Sequence, residues 1–436
     1  MLDDSLESEQ RHGIGALCFL LQACGVVGIP LHLKSAVIAR VLGLLRGEQS
    51  EELLNDALQC AMLIAHQPHL TDALVDAGAI PVALEFLGRV DLQQPHRVMC
   101  VAILRSIAKA SRANCDALLA DGAMAVLLPL VQPGISVIMG TELLPALAFL
   151  MRGRPAAEMA AAVTHLGAVL MDGTAPPELV CTCFNTFAIV LFRFADGDPN
   201  LDSWVEPILS AASGVPQRII RLLGDTDRAD VLDAALALLI NMTKADADQL
   251  RLLIDCGLLD KLPSLLNGDG GHHARFYAAG LSGELARTKS YAQLLLDSAP
   301  IVEPLLALLS TSEGGSELLR CAIGLFLQAM LHRDRSMTRR LVDEHRALPP
   351  LVAALRRAIQ MEDQTAIFQC LGVVASVLLM GNVEAEHDDR GINPYIEPLD
   401  WLGVFELADP LQNSADADVA DLAKLVFSYF IPNDCE

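Results

Sequence analysis

Cys181 and Cys183 stand two residues apart, a spacing that could offer two thiolates to one metal ion. A closed structural site needs four ligands, and no second Cys/His pair lies in register with them. His272 and His273 follow the glycine-rich turn "GDGG" and could ligate a metal or carry a proton. No matching carboxylate or cysteine set accompanies them, so the polar start of a helix is the plainer reading. "GLSGE", Gly280 to Glu284, approaches the nucleophile elbow of a hydrolase, but that elbow needs a second glycine where Glu284 stands and a strand before the serine. "DGDPNLD" from Asp196 opens like a calcium loop. Its sixth position is Leu201 instead of glycine and its twelfth is Pro207 instead of a bidentate glutamate, which excludes an EF-hand. The glycines near residue 270 are followed by no Gly-Lys-Ser/Thr and make no phosphate loop. The sequence therefore nominates no catalytic residue, no cofactor and no metal ligand.

Charge says more about partners. With 54 acidic against 31 basic side chains the net charge is −23, which repels phosphate backbones. Nucleic acid is not expected as a ligand; a protein partner with a basic surface is the complementary one. One late stretch runs against this, with Arg335, Arg339, Arg340, Arg346, Arg356 and Arg357 close together. Either nearby acids such as Asp343 and Glu344 neutralise them on a solvated helix face, or they form a site for an acidic partner.

The eleven cysteines are scattered, mostly at apolar positions of helical patterns, as expected of reduced core thiols in a cytoplasmic or nuclear protein. The opening "MLDDSLESEQ" is acidic, unlike a secretory or mitochondrial leader. The apolar run that follows is interrupted by glycines, Pro30 and His32 before a membrane span accumulates, so a buried helix pair and no membrane association are expected.

Hydrophobic residues make up 53% of the chain and aromatics 4%, a composition suited to helices packed through small aliphatic side chains. One stretch recurs: "LVDAGAIPVALEFLG" around Gly78, "LLADGAMAVLLPLV" around Gly122 and "LLIDCGLLDKLPSLL" around Gly257. Two, eight and nine residues after the glycine come large apolar side chains in all three: Ile80, Phe86 and Leu87; Met124, Leu130 and Val131; Leu259, Leu265 and Leu266. Less regular copies are expected at Gly167, Gly214, Ala299 and Arg346, giving spacings of 42 to 47 residues. Such a period with helical patterning marks a solenoid. The glycine reads as a sharp joint between two short helices, since it tolerates backbone angles that other residues resist.

After each joint comes a longer amphipathic helix, as in "HRVMCVAILRSIAKA" and "GSELLRCAIGLFLQAMLH". The pattern of short, middle and long helix, with endings such as "ALLINMTKADADQLRLLIDCG", resembles the armadillo repeat family. The resemblance spans roughly residues 35 to 380. It implies an all-α, right-handed α-solenoid of armadillo-type three-helix repeats, an ARM/HEAT-like superhelix; HEAT repeats, with two helices per unit, are the alternative. Residues 1–34 are expected as an N-terminal helical cap, 35–381 as about eight units, and 382–436 as an acidic loop and C-terminal helical cap. The aromatic-rich end, from Tyr395 to Phe430, is open to a second reading as a partner-binding tail.

Armadillo proteins line a concave groove with their third helices, many carrying an asparagine that grips an extended peptide. Only Asn241 matches that position here, and the only tryptophans, Trp204 and Trp401, lie outside those helices. Recognition of nuclear localisation signals is therefore not expected. What the resemblance implies is a non-enzymatic scaffold or adaptor, binding a protein along the groove through Arg105, Ser106, Asn241, Glu284 and Gln328. The alternative is a regulator of a nucleotide-binding protein, as an exchange factor or co-chaperone.

Overall fold

The computed structural model describes residue 9 and residues 11–17, 31–47, 50–152, 156–192, 214–226, 228–243, 247–311, 315–387 and 391–430. The "DGDPNLD" stretch, Trp204 and most of the expected N-terminal cap lie outside them. Among the described residues every regular element is helical. The chain divides into two compact units, Met1–Arg218 and Ile219–Glu436.

In the first unit α1 (Leu31–Arg46) and α2 (Glu51–Ala65) pair, and a repeat follows: α3 (Pro68–Asp76), α4 (Ala79–Gly88) and α5 (Gln94–Ala110). Then come α6 (Arg112–Ala120), α7 (Ala123–Leu127), α8 (Val137–Met151), α9 (Ala156–Met171) and α10 (Pro177–Phe192). The long helices α2, α5, α8 and α10 pack in succession. In α5, Cys100, Ile103, Leu104 and Ile107 recur at helical spacing and are fully buried, so one stripe does the packing.

The second unit continues with α11 (Val215–Asp225, which begins just before the division) and α12 (Ala229–Met242), then α13 (Ala247–Asp255), α14 (Leu258–Leu266) and α15 (Gly271–Leu285). Next are α16 (Lys289–Leu296), α17 (Ala299–Ser310) and α18 (Gly315–Leu331). The series closes with α19 (Arg335–Arg339), α20 (Leu348–Gln360), α21 (Gln364–His387), α22 (Ile396–Trp401), α23 (Val404–Leu411) and α24 (Ala417–Ser428). Here α12, α15, α18, α21 and α24 pack in succession.

The joints are as the repeat predicts. Gly78, Gly122 and Gly257 sit between short helices with φ of 88°, 81° and 92°. An L side chain resists that region, so Gly257→Ala is expected to lose about 1 kcal/mol of stability, read as a lower urea midpoint. The Cβ itself would meet only ordinary contact with Asp260, so the loss reports the backbone alone. Ala299 begins α17 after an 85° bend, and Gly214 has a φ of 67°. Arg346 takes φ 52° without being glycine, which costs on the order of 1 kcal/mol.

Two expectations need correction. Gly167 is no joint: it lies inside α9, a single 16-residue helix that packs against α10. The acidic loop expected from Asn382 also starts as helix, since α21 runs on to His387. Beyond it α22, Gly403 at φ 79°, α23 and α24 reproduce the same joint and helix order. Three of its aromatics, all half-buried, pack on one another: Phe405 stacks on Phe427 at 4.5 Å and meets Phe430 edge-on at 5.9 Å, while Trp401 stays exposed.

One helix among the described residues, Gln364–Glu386 within α21, is long and apolar enough to cross a membrane, and 61% of its most apolar window is buried inside the fold. That helix packs against α18, α20 and α24, which accounts for its apolarity.

Candidate functional site

The catalytic near-misses resolve first. Ser282 is fully buried on α15 and its hydroxyl donates to the Ala278 carbonyl at 2.9 Å, so it is no exposed nucleophile. Cys181 and Cys183 share α10, where residues two apart point to different sides. Cys183 is fully buried and burial pushes its thiol up to about 12. His273 has a carboxylate partner that sequence proximity did not reveal: its Nδ1 lies 3.3 Å from Asp233 of α12, forty residues earlier. Burial raises the Asp233 carboxyl, while His273 draws it back down. Among the described residues no three His, Cys, Asp or Glu side chains converge as a metal site would require.

The five residues expected on the third helices are on them. Arg105 and Ser106 belong to α5, Asn241 to α12, Glu284 to α15 and Gln328 to α18. Arg105 pairs with Glu142 of α8 at 3.1 Å and reaches to 3.3 Å from His66 Nε2. Ser106 is buried, and its hydroxyl donates to Ala102 of its own helix at 2.9 Å. Asn241 likewise donates one amide N–H to the Ala237 carbonyl of its own helix at 3.0 Å. Glu284 receives Arg287 at 3.2 Å, and Gln328 is half-buried. Arg105 and Ser106 come together with His66, Lys109, Pro145 and Phe149 around a recess of about 400 Å³ in the first unit. Asn241, Glu284 and Gln328 are spread over successive helices of the second.

A larger cavity, about 790 Å³, lies in the second unit. Its polar lining is Arg339, Asp343, Arg346, Glu384 and Tyr395; its apolar wall includes Pro349, Ile392, Pro398 and Trp401. Several local features build it. Residues Arg340–Glu344 form one π-helical turn leading from α19 to the Arg346 joint, and such turns recur at functional sites. Glu384, near the end of α21 and only 4% exposed, accepts Arg339 Nε at 2.7 Å and the Tyr395 hydroxyl at 3.3 Å. Asn393 donates its amide to Leu378 and to Asn382, both at 2.7 Å, and accepts the Tyr395 N–H at 3.0 Å. Gly381 leaves the space that Asn393 fills, for a Cβ there would fall 2.0 Å from its Oδ1. These bonds pin residues 393–395 to α21, and the polar wall is fixed before any ligand arrives. Burial and the Glu384 charge raise the Asp343 carboxyl; Arg339 partly offsets them. Tyr395 is raised well above an ordinary phenol by burial first and the Glu384 charge second.

Sequence reading found the arginines of this region but not the cavity. Glu384, Asn393 and Tyr395 carried no motif; the one available signal was the insertion that stretches the spacing from Arg346 to Gly403 to 57 residues.

The start of α19 is held by Asp334, whose carboxylate accepts Lys289 Nζ at 2.7 Å, Ser336 Oγ at 2.6 Å and the Ser336 N–H at 2.9 Å. Lys289 foremost, then Ser336, holds this carboxyl far below the usual range. A depressed carboxylate stabilises the fold above its unfolded pKa and loses that contribution as pH falls. Asp334→Ala is thus expected to cost about 1 kcal/mol near pH 7, as for a lost helix cap. Paired urea titrations should show the gap to wild type narrowing below about pH 4.

No known family model matches the chain, and no curated protein does. Among solved structures, an engineered protein from the Northeast Structural Genomics Consortium is 19% identical and superposes with a TM-score of 0.72 over 97% of this chain and 95% of that one. A designed armadillo repeat protein, 20% identical, covers 62% of this chain with all of its own length at a TM-score of 0.49. A second engineered protein from the same consortium gives 20%, 0.46 and 55% of this chain. The first of these, near full length on both sides, shares the fold, and the glycine-jointed helix triplets give the fold its kind. The chain has an armadillo-like helical-repeat fold.

Proposed function

We propose that this chain is a non-enzymatic scaffold or adaptor that binds another protein along its third-helix faces. The observation that carries the reading is the succession of long helices packed side by side within each unit, with Arg105, Lys109, His66 and Phe149 gathered around an open recess on the first. A repeat array offers extended surface where an enzyme needs a preorganised reactive constellation. The net charge of −23 favours a partner whose contacting surface is basic, and steers it over a range set by ionic strength.

Affinity capture from a native extract with the full chain, followed by mass spectrometry, tests this. Arg105→Ala with Glu284→Ala is expected to remove specific partners from the captured set, and raised salt to weaken capture. A set unchanged by the double substitution would overturn the third-helix assignment.

A further inference from the structure

The late arginine cluster can now be resolved one guanidinium at a time. Arg335 and Arg339 face Glu384, Arg340 pairs with Asp297, Arg356 donates to the Leu402 carbonyl, and Arg357 donates to the Thr311 and Gly315 carbonyls. Among the described residues Arg346 differs: it is exposed, lines the 790 Å³ cavity, and has neither a hydrogen bond nor an ion pair. It also holds a left-handed joint position that glycine fills at Gly78, Gly122, Gly257 and Gly403. Arg333 and Glu362 adopt similar angles at helix ends, and neither lines the cavity. A strained position that glycine would relieve, occupied by a long cation serving nothing inside the chain, points outward.

Part of the same cavity's wall is apolar and open. Trp401 is 82% exposed and Ile392 75%, with Pro349 and Pro398 beside them, although a large apolar side chain gains by being covered. Glu384 is already matched by Arg339 and Tyr395, and Asp343 does not pair with Arg346. The unmet chemistry is one cation beside an apolar shelf.

We propose that this cavity is an anchor site for an acidic-apolar peptide segment of a protein partner, with Arg346 receiving a side-chain carboxylate and the Trp401–Ile392 shelf receiving the aliphatic residue next to it. Guanidinium and carboxylate match as a two-pronged hydrogen-bonded pair, and the shelf supplies desolvation. The assignment runs opposite to the acidic chain as a whole. Contact charge at a partly desolvated site outweighs net charge beyond a screening length of about 8 Å. It rests on the scaffold reading and deepens it by naming one determinant.

The test uses the full chain and capped, fluorescein-labelled seven-residue peptides with glutamate, glutamine or lysine between two leucines, followed by fluorescence anisotropy. The glutamate peptide is expected to bind saturably and at least tenfold more tightly than the other two. Arg346→Gln, which keeps the backbone strain and removes the charge, should erase that preference; Arg346→Gly should erase it while raising the melting temperature. Trp401→Ala should weaken all three peptides. Lysine binding as tightly as glutamate, a preference that survives Arg346→Gln, or no saturable binding up to millimolar protein would each overturn the proposal. Partner capture by the third-helix faces is scored separately, so an empty cavity with capture intact would sink this inference and leave the scaffold standing.

Discussion

Gly283→Leu is expected to cost about 3 kcal/mol, lowering the urea midpoint far more than substitutions on exposed faces. The two long helices α15 and α18 approach until backbone meets backbone: a Cβ on Gly283 would lie 3.3 Å from the Gly324 carbonyl carbon and 3.4 Å from both the Gly324 Cα and the Leu325 nitrogen. No side chain is there to turn aside. Alanine forces the helices apart by a few tenths of an ångström, for an expected loss of about 1 kcal/mol. Leucine has nowhere to go without separating them. In a repeat array each unit is stable largely through its neighbours, so a wedge at this interface should also loosen α12 and α21, which pack on the outer sides of the pair. Hydrogen exchange should report faster opening in all four helices. A leucine variant within 0.5 kcal/mol of wild type would mean that the approach of α15 to α18 has been misread.

The second large effect is expected at Glu384→Ala. This carboxylate joins three elements: α19 through Arg339, α21 on which it sits, and the 391–395 segment through the Tyr395 hydroxyl. Removing it takes one counter-charge from Arg339 and leaves the Tyr395 phenol without this acceptor. Arg339 is 49% exposed, so water takes over part of its solvation and the expected loss is about 2 kcal/mol, below that of a fully enclosed pair. The damage should be local. Limited proteolysis is expected to cut near residues 391–395 in the variant and to spare the wild type, while the first unit keeps its exchange protection. Glu384→Gln retains an acceptor for Tyr395 and should fall between the two. Equal cleavage of wild type and Glu384→Ala would show that the network does not hold this wall.

The contrast between these two sites shows what one dimension of sequence encodes. The joints at Gly78, Gly122 and Gly257 were legible because each needs a local backbone angle, and the large residues two, eight and nine later must face the same core. Helical class, unit length and third-helix membership of Arg105, Asn241, Glu284 and Gln328 follow from that same local periodicity. Gly167 misled because "THLGAVL" carries the spacing without the angle: nothing in a glycine's identity requires it to leave a helix, and α9 simply continues through it. The unit around Gly403 escaped because an insertion shifted it out of period, although its own joint is as regular as the others.

Sequence by itself determined the repeat, its joints and the acidity of the surface, since each is set by residues within one turn or by simple counting. Only the tertiary structure decided which arginines are spent and which is free. Arg339 meets Glu384 forty-five residues away and Arg357 meets Thr311 forty-six away, distances along the chain that a solenoid closes by stacking one unit on the next. Those partners share no motif, because an ion pair across neighbouring repeats constrains only charge and reach. The same stacking leaves Arg346 and Trp401 on one open cavity, and only the folded chain places them there.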